Sequence, residues 1–194
     1  MRLWTIQTKE TWTCAEKSGV LECTDIDADK AIDSWFRSAY DWMVRQLEQR
    51  VKNYPCNKYP IWGWYHPKPD LRRSGHLPHG TSGVQVEFLV SSDRVLLSDF
   101  EAWHTVLNCW YLSLSEEESD NWDNRCESAG IKVSWENWPP PSPFKEEIMR
   151  SWERIFDLEL LKKHSEWLGG EAIQACIEKI YMEEVVTITP FKAR

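Results

Sequence analysis

Three stretches with strand patterning stand at the start, middle and end of this chain: "LWTIQT" at 3–8, "GVQVEFLV" at 83–90 and "VVTITPF" at 185–191. In the first, Leu3 and Thr5 fall on one face of a β-rich segment and Trp4 and Ile6 on the other. In the second, Val84, Val86, Phe88 and Val90 alternate with Gln85, Glu87 and Leu89, the period of a half-buried strand. "YPIWGWY" at 59–65 reads as a buried strand and "EAIQACIEKI" at 171–180 as another. Helical patterns fill the intervals. The expected class is therefore α+β, a mixed or antiparallel sheet with packed helices. The length of 194 residues is enough for one domain with a real core, taken as 1–194.

The helices have their own signals. "KETWTCAEKSG" predicts a short helix ended by Gly19. Over residues 29–52, Ile32, Trp35, Phe36, Ala39, Met43, Leu47 and Val51 recur at three- or four-residue spacing, with Asp27 or Asp29 as cap. "SDFEAWHTVLNCWYL" opens on Ser98 and Glu101, a Ser-x-x-Glu capping box, and carries Phe100, Trp103, Leu107 and Trp110 as its apolar face. The same box, Ser115 and Glu118, opens an acidic helix closing on Gly130. The Pro-rich stretch "NWPPPSPF", 137–144, reads as a rigid internal loop before "FKEEIMRSWERIFDLELL", read as one helix. The chain holds 13 Trp, large side chains whose N–H groups seek partners when buried. Trp35, Trp103 and Trp152 lie on apolar stripes and are assigned to the core.

Net charge is −8, which argues against broad binding of duplex nucleic acid. No signal peptide pattern and no apolar run of membrane length occurs, so the expected location is the cytoplasm, away from membrane. Six cysteines show no metal-ligand spacing and are expected as free thiols, with no metal bound.

Against that acidic background, "YHPKPDLRRSGHLPHG" at 65–80 collects Lys68, Arg72, Arg73 and three of the five histidines. Arginine grips phosphate or carboxylate with two parallel hydrogen bonds. Trp62, Trp64 and Tyr65, just before, offer rings to stack on a base or nicotinamide. The candidate ligand set is Trp64, Tyr65, Lys68, Arg72 and Arg73, for NAD, a nucleotide or another phosphate-bearing ligand. The simpler alternative is a solvated loop whose arginines pair with acids. His66, His76 and His79 make a weak metal pattern. Asp99, Glu101 and His104 share one helical turn, which makes His104 a candidate general base or a structural histidine beside a cap. Glu87 is either a catalytic or arginine-anchoring acid or, more simply, an exposed strand position.

Four segments, "LWTIQT", "KPDLR" at 68–72, "VLLSDFEAWHTVLN" at 95–108 and "IQAC…VVTITPFKAR", together resemble an uncharacterised bacterial domain-of-unknown-function family, family 3841. The layout of an opening strand and helix, central strands and a late Gln-Ala strand also resembles ADP-ribosyltransferase-like folds. That second resemblance implies an NAD-holding residue on the first strand, here Thr5, and adds Gln174 to the ligand set. It also implies a catalytic carboxylate after Gln174 and Ala175, where this chain has Cys176. Glu178 is the nearby substitute and is expected on the same strand face. The expectation is binding with weak or absent transfer, NAD being the candidate cofactor and enzymatic activity left open. The competing class is a non-catalytic Trp-rich module for a protein partner.

Overall fold

The structure is a computed structural model and describes residues 1–23, 35–70, 77–168 and 171–194. Arg72, Arg73, Gly75, His76, Ile32, Asp27 and Asp29 lie outside the described residues. The chain divides into two compact units: Met1–Ala31, Val44–Leu97 and Ile173–Arg194 form the first, Ile32–Met43 and Ser98–Ala172 the second.

The first unit is built on an antiparallel sheet. Its strands are β1 (Arg2–Thr8), β3 (Ile61–His66), β4 (Ser82–Leu89), β5 (Leu96–Asp99), β6 (Ile173–Ile177) and β8 (Val185–Lys192), in the order β5-β6-β3-β1-β4-β8. A second, two-stranded sheet joins β2 (Val20–Glu22) to β7 (Lys179–Tyr181), with Leu21 opposite Ile180. The α+β expectation holds. Strand β1 buries Leu3 and Thr5 on one face, as its alternation predicts. They share that face with Phe88 and Val86, their cross-strand partners on β4. Helix α1 (Lys9–Ser18) starts at Thr8, whose hydroxyl accepts the Thr11 N–H at 3.1 Å. It stops at Gly19, whose φ of 82° is left-handed, where a glycine avoids the cost of a β-carbon. Trp12 and Ala15 of this helix belong to the same core as Leu3, Val86 and Phe88. The Trp12 indole N–H is buried with no hydrogen-bond partner, an arrangement that costs on the order of 1–3 kcal/mol.

Three strand expectations need correction. Strand β4 is not half-buried: Gln85, on the predicted polar side, is only 4% exposed. The exposed-position reading of Glu87 fails and its arginine-anchoring alternative holds, as described below. The segment read as a single strand at 171–180 is two, in different sheets, and the chain bends between them at Glu178.

Helix α2 (Arg37–Arg50) keeps the predicted stripe: Ala39, Met43, Leu47 and Val51 are buried. Trp35 is not a core residue. It stands in the turn before the helix, 48% exposed, with its ring 5.5 Å from that of Trp135.

The second unit contains α3 (Phe100–Leu107), α4 (Glu116–Ser128), α5 (Phe144–Trp152), α6 (Leu158–Lys163) and α7 (Ser165–Leu168). The cap of α3 is Asp99, not Ser98: the Asp99 carboxylate accepts the Ala102 N–H at 2.8 Å, while Ser98 lies one residue further back in β5, fully buried. Burial pushes the Asp99 carboxyl above its ordinary range, against the backbone N–H groups that favour its charge. The run at 144–161 is not one helix. It breaks into a 3-10 turn at Glu153–Phe156 and restarts on the Asp157 cap. Trp103 and Trp152 are buried, as assigned. Trp152 meets Trp42 edge-on and stacks with Trp138, and its N–H donates to the Trp110 carbonyl at 2.7 Å.

The irregular segment 108–114 carries buried backbone that side chains satisfy. Ser151 accepts the Leu112 N–H at 2.9 Å, Arg154 donates to the Leu112 carbonyl at 2.6 Å, and Glu118 accepts the Leu114 N–H at 2.8 Å. Ser115 caps α4, as the sequence predicts, and Glu118 turns back one residue beyond it. Glu118 also pairs with Arg154 at 2.8 Å and accepts from the Tyr111 hydroxyl at 2.7 Å. Burial opposes its ionisation, but these partners outweigh burial and hold the carboxyl below its ordinary range.

Two measurements follow from this packing. Trp152→Ala is expected to cost about 3–5 kcal/mol in urea unfolding. Trp35→Ala is expected to stay within about 0.5 kcal/mol of wild type. Because the folded Glu118 carboxyl lies below the unfolded one, its contribution is present above the ordinary value of 4.5 and is lost as pH falls through the lowered folded value. Glu118→Gln is therefore expected to lose about 2 kcal/mol at neutral pH. It should also flatten the loss of stability below about pH 4.5, read from melts across pH.

Candidate functional site

Opposite residues on paired antiparallel strands project to the same sheet face. In the first unit this places Gln174 opposite Trp64, Trp64 opposite Trp4, Trp4 opposite Glu87 and Glu87 opposite Thr187. The result is one row across five strands, with two indoles between an amide and a carboxylate. Gly63 on β3 makes the close approach to β1 feasible: a β-carbon there would sit 3.0 Å from the Trp4 carbonyl oxygen.

Glu87 organises the row. Its carboxylate accepts from Arg2 at 2.8 Å and from the Trp4 indole N–H at 3.2 Å. The Lys68 ammonium lies 4.0 Å away and stands over the Trp4 ring at 5.8 Å from its centroid. The Glu87 side chain is 13% exposed, while Arg2 and Lys68 are 57% and 58% exposed. The carboxylate is the anchored group and the two cations reach in from solvent. Trp4, Tyr65, His66, Arg2 and Ile173 line an open cleft of about 670 Å³, which Trp4 alone of the row borders. Among the ring faces, Tyr65 is accessible at 41% exposure.

Lys68, Pro69 and Asp70 begin the basic segment. The Gln85 amide donates to the Pro69 carbonyl at 2.9 Å, tying the segment to the sheet. Its far end is held where Gly80, at φ 81°, donates to the Ala193 carbonyl at 2.8 Å.

The structure thus brings Trp64, Tyr65, Lys68 and Gln174 to one end of the sheet. Gln174, 4% exposed, sits within the row rather than in the cleft lining. Arg72 and Arg73 lie outside the described residues. Trp4 and Glu87 are the contributors that sequence reading did not place in this site. The sequence signal for Glu87, an acid at a strand position able to anchor an arginine, does not identify Arg2, Trp4 or Lys68 as its partners.

The two catalytic candidates stand elsewhere. Glu178 follows the last residue of β6, four positions from Gln174, or about 13 Å along extended chain. It is not on the strand face expected for it. It pairs with Arg94 at 3.7 Å, and Arg94 also pairs with Glu184 and donates to the Lys179 carbonyl at 2.9 Å. His104 belongs to the second unit, exposed on α3. Its Nδ1 lies 3.0 Å from the Phe100 carbonyl and 3.9 Å from Glu101. Thr5 donates to the Trp62 carbonyl at 2.8 Å and accepts from Gln7 at 3.0 Å, so its hydroxyl is occupied in joining β1 to β3. Cys176 is fully buried, and burial pushes its thiol well above the ordinary range, which keeps it neutral. All six cysteines are free thiols.

Residues 2–186, from β1 into the start of β8, match the family described as Domain of unknown function (DUF3841). The chain belongs to that family. No curated protein and no solved structure matches it. Among the described residues, no helix is long and apolar enough to cross a membrane.

Within this row, the geometry makes Glu87 the polar group whose loss the DUF3841 chain should feel most. Glu87→Ala is expected to cost about 1–3 kcal/mol, since it leaves the Trp4 N–H unpaired in a half-buried site. Arg2→Ala, removing the exposed partner, is expected to change stability by less than about 1 kcal/mol. Urea unfolding of both variants checks the order.

Proposed function

We propose that this chain binds NAD, a nucleotide or another phosphate-bearing ligand at the aromatic row of the first unit. The observation that carries the reading is the convergence of Trp64, Trp4, Glu87 and Lys68 on one sheet face beside an open cleft. Indole faces suit a base or a nicotinamide ring. A carboxylate held by donors suits ribose hydroxyls or an exocyclic amine. Lys68, with Arg72 and Arg73 following it in sequence, suits the phosphate.

Chemistry on NAD has weaker support. The late strand carries Gln174 and Ala175, but the next position is a neutral buried thiol and the substitute Glu178 is committed to Arg94. A carboxylate that stabilises a sugar cation works only where that charge develops. The reading is therefore binding with weak or absent ADP-ribosyl transfer, in the cytoplasm. The exposed Trp35–Trp135 pair favours a second reading, a non-catalytic surface for a protein partner.

Titration calorimetry with NAD, AMP and inorganic phosphate tests the first reading. Binding by wild type is expected to fall on the order of tenfold in Lys68→Ala and beyond detection in Arg72→Ala/Arg73→Ala. Equal binding by wild type and the double variant, or no binding of any of the three, rejects it. With labelled NAD, robust transfer that survives Glu178→Ala would overturn the account of the late strand.

A further inference from the structure

The second unit contains a cleft of about 460 Å³ that the nucleotide reading does not use. Its walls include Trp110, Tyr111, Trp122 and Trp167, and its polar lining includes Asp123 and Ser119. This volume falls within the range of small-molecule sites. The rings divide into two kinds. Tyr111 and Trp122 stack on each other at 4.3 Å and 10°, and each already carries a cation. Arg154 stands 5.6 Å from the Tyr111 ring and Arg125 stands 5.5 Å from the Trp122 ring. Both arginines are neutralised in turn, Arg154 by Glu118 and Arg125 by Glu147 through two bonds of 2.8 and 2.9 Å.

Trp110 and Trp167 are different. They are 53% and 44% exposed, and neither ring has an aromatic or cationic partner among the described residues. The Trp110 indole N–H is unpaired there as well, while that of Trp167 reaches Ser113 at 3.3 Å. Asp123 has no hydrogen bond or ion pair among the described residues. No lysine, arginine or histidine lines the cleft. Helix α4, which forms one wall, carries six acids against a single Arg125. Large exposed indoles beside an unpaired carboxylate lack one component, a positive charge. An ammonium or guanidinium group over an indole face is attracted by the ring's negative face, and most strongly by Trp.

We propose that this cleft binds a small organic cation, an ammonium or guanidinium compound, between Trp110 and Trp167 with Asp123 as counter-ion. An anion is disfavoured by the field of α4. A purely apolar ligand would leave the carboxylate unpaired and desolvated. The site stands independently of the nucleotide reading, since the two share no residue.

Calorimetry on the full chain tests it with tetramethylammonium, choline, agmatine and 3,3-dimethylbutanol, the uncharged isostere of choline. At least one of the three cations is expected to bind, and choline, if it does, more tightly than its neutral isostere. Trp110→Ala and Asp123→Asn, both at exposed positions, are expected to weaken binding of that cation on the order of tenfold while leaving the melting temperature unchanged. Trp35→Ala, an exposed Trp outside the cleft, should leave binding unaltered. Absence of binding by all three cations overturns the proposal. So does equal affinity for choline and the isostere, or cation binding that survives both cleft variants.

Discussion

Strand β1 has hydrogen-bonded neighbours on both edges, β3 on one side and β4 on the other. The sheet of the first unit depends on that position. Its central strand comes from the first eight residues, and its remaining strands from segments that follow only after residue 60. None of these pairings is local. The two faces of β1 then take different tasks. Leu3 and Thr5 close the core against Val86 and Phe88, while Trp4 faces the row that ends in Glu87. An acid on such a face needs compensation, and Arg2, Lys68 and the Trp4 N–H supply it. Part of the positive charge gathered in the Lys68 segment is thereby accounted for. It faces an anchored carboxylate that the same sheet presents.

Much of the first unit was legible because period-two alternation is a local property. The positions of β1, β4 and β8, the Gly19 stop and the buried stripe of α2 all follow from neighbours in sequence. What failed is instructive for the same reason. Gln85 reads as polar and outward, yet it is buried because its amide ties down Pro69, a contact sixteen residues away. Ser98 and Asp99 are both good caps. The choice fell to Asp99 because the helix begins at Phe100, which leaves Asp99 in the capping position with its carboxylate on the Ala102 N–H. Trp35 continues a helical spacing past the point where the helix begins. Glu178 follows a strand pattern through a bend that sends the next three residues to another sheet.

The candidate site was legible by halves. Trp64, Tyr65 and Lys68 lie within five residues and could be grouped by eye. Trp4 and Glu87 join them through cross-strand neighbours 60 and 83 positions apart, and a single sequence does not announce such pairings. The segment 108–114 makes the same point in the second unit. Its backbone partners are Ser151, Arg154, Glu118 and Trp152, three of them drawn from about forty residues downstream. The sequence pattern makes Glu118 half of a capping box, and it does face the helix start. Its larger role is to fix an irregular strand of backbone while holding Arg154 in place.

The two units treat charge beside tryptophan in opposite ways, and the contrast follows from where the compensating groups come from. In the first, Glu87 is anchored and its cations approach from exposed positions on β1 and the Lys68 segment, so the indole row is bordered by positive charge. In the second, Arg154 and Arg125 are spent on Tyr111 and Trp122 and on Glu118 and Glu147. Among the described residues, Asp123 and the faces of Trp110 and Trp167 are left with none. Arg125 cannot serve both sides: its two terminal nitrogens are bound to Glu147, and its plane covers Trp122. A chain with 31 acids and 23 basic residues cannot neutralise every carboxylate internally. Where an unpaired one borders a cleft walled by exposed indoles, the proposed cation that completes it comes from outside the chain.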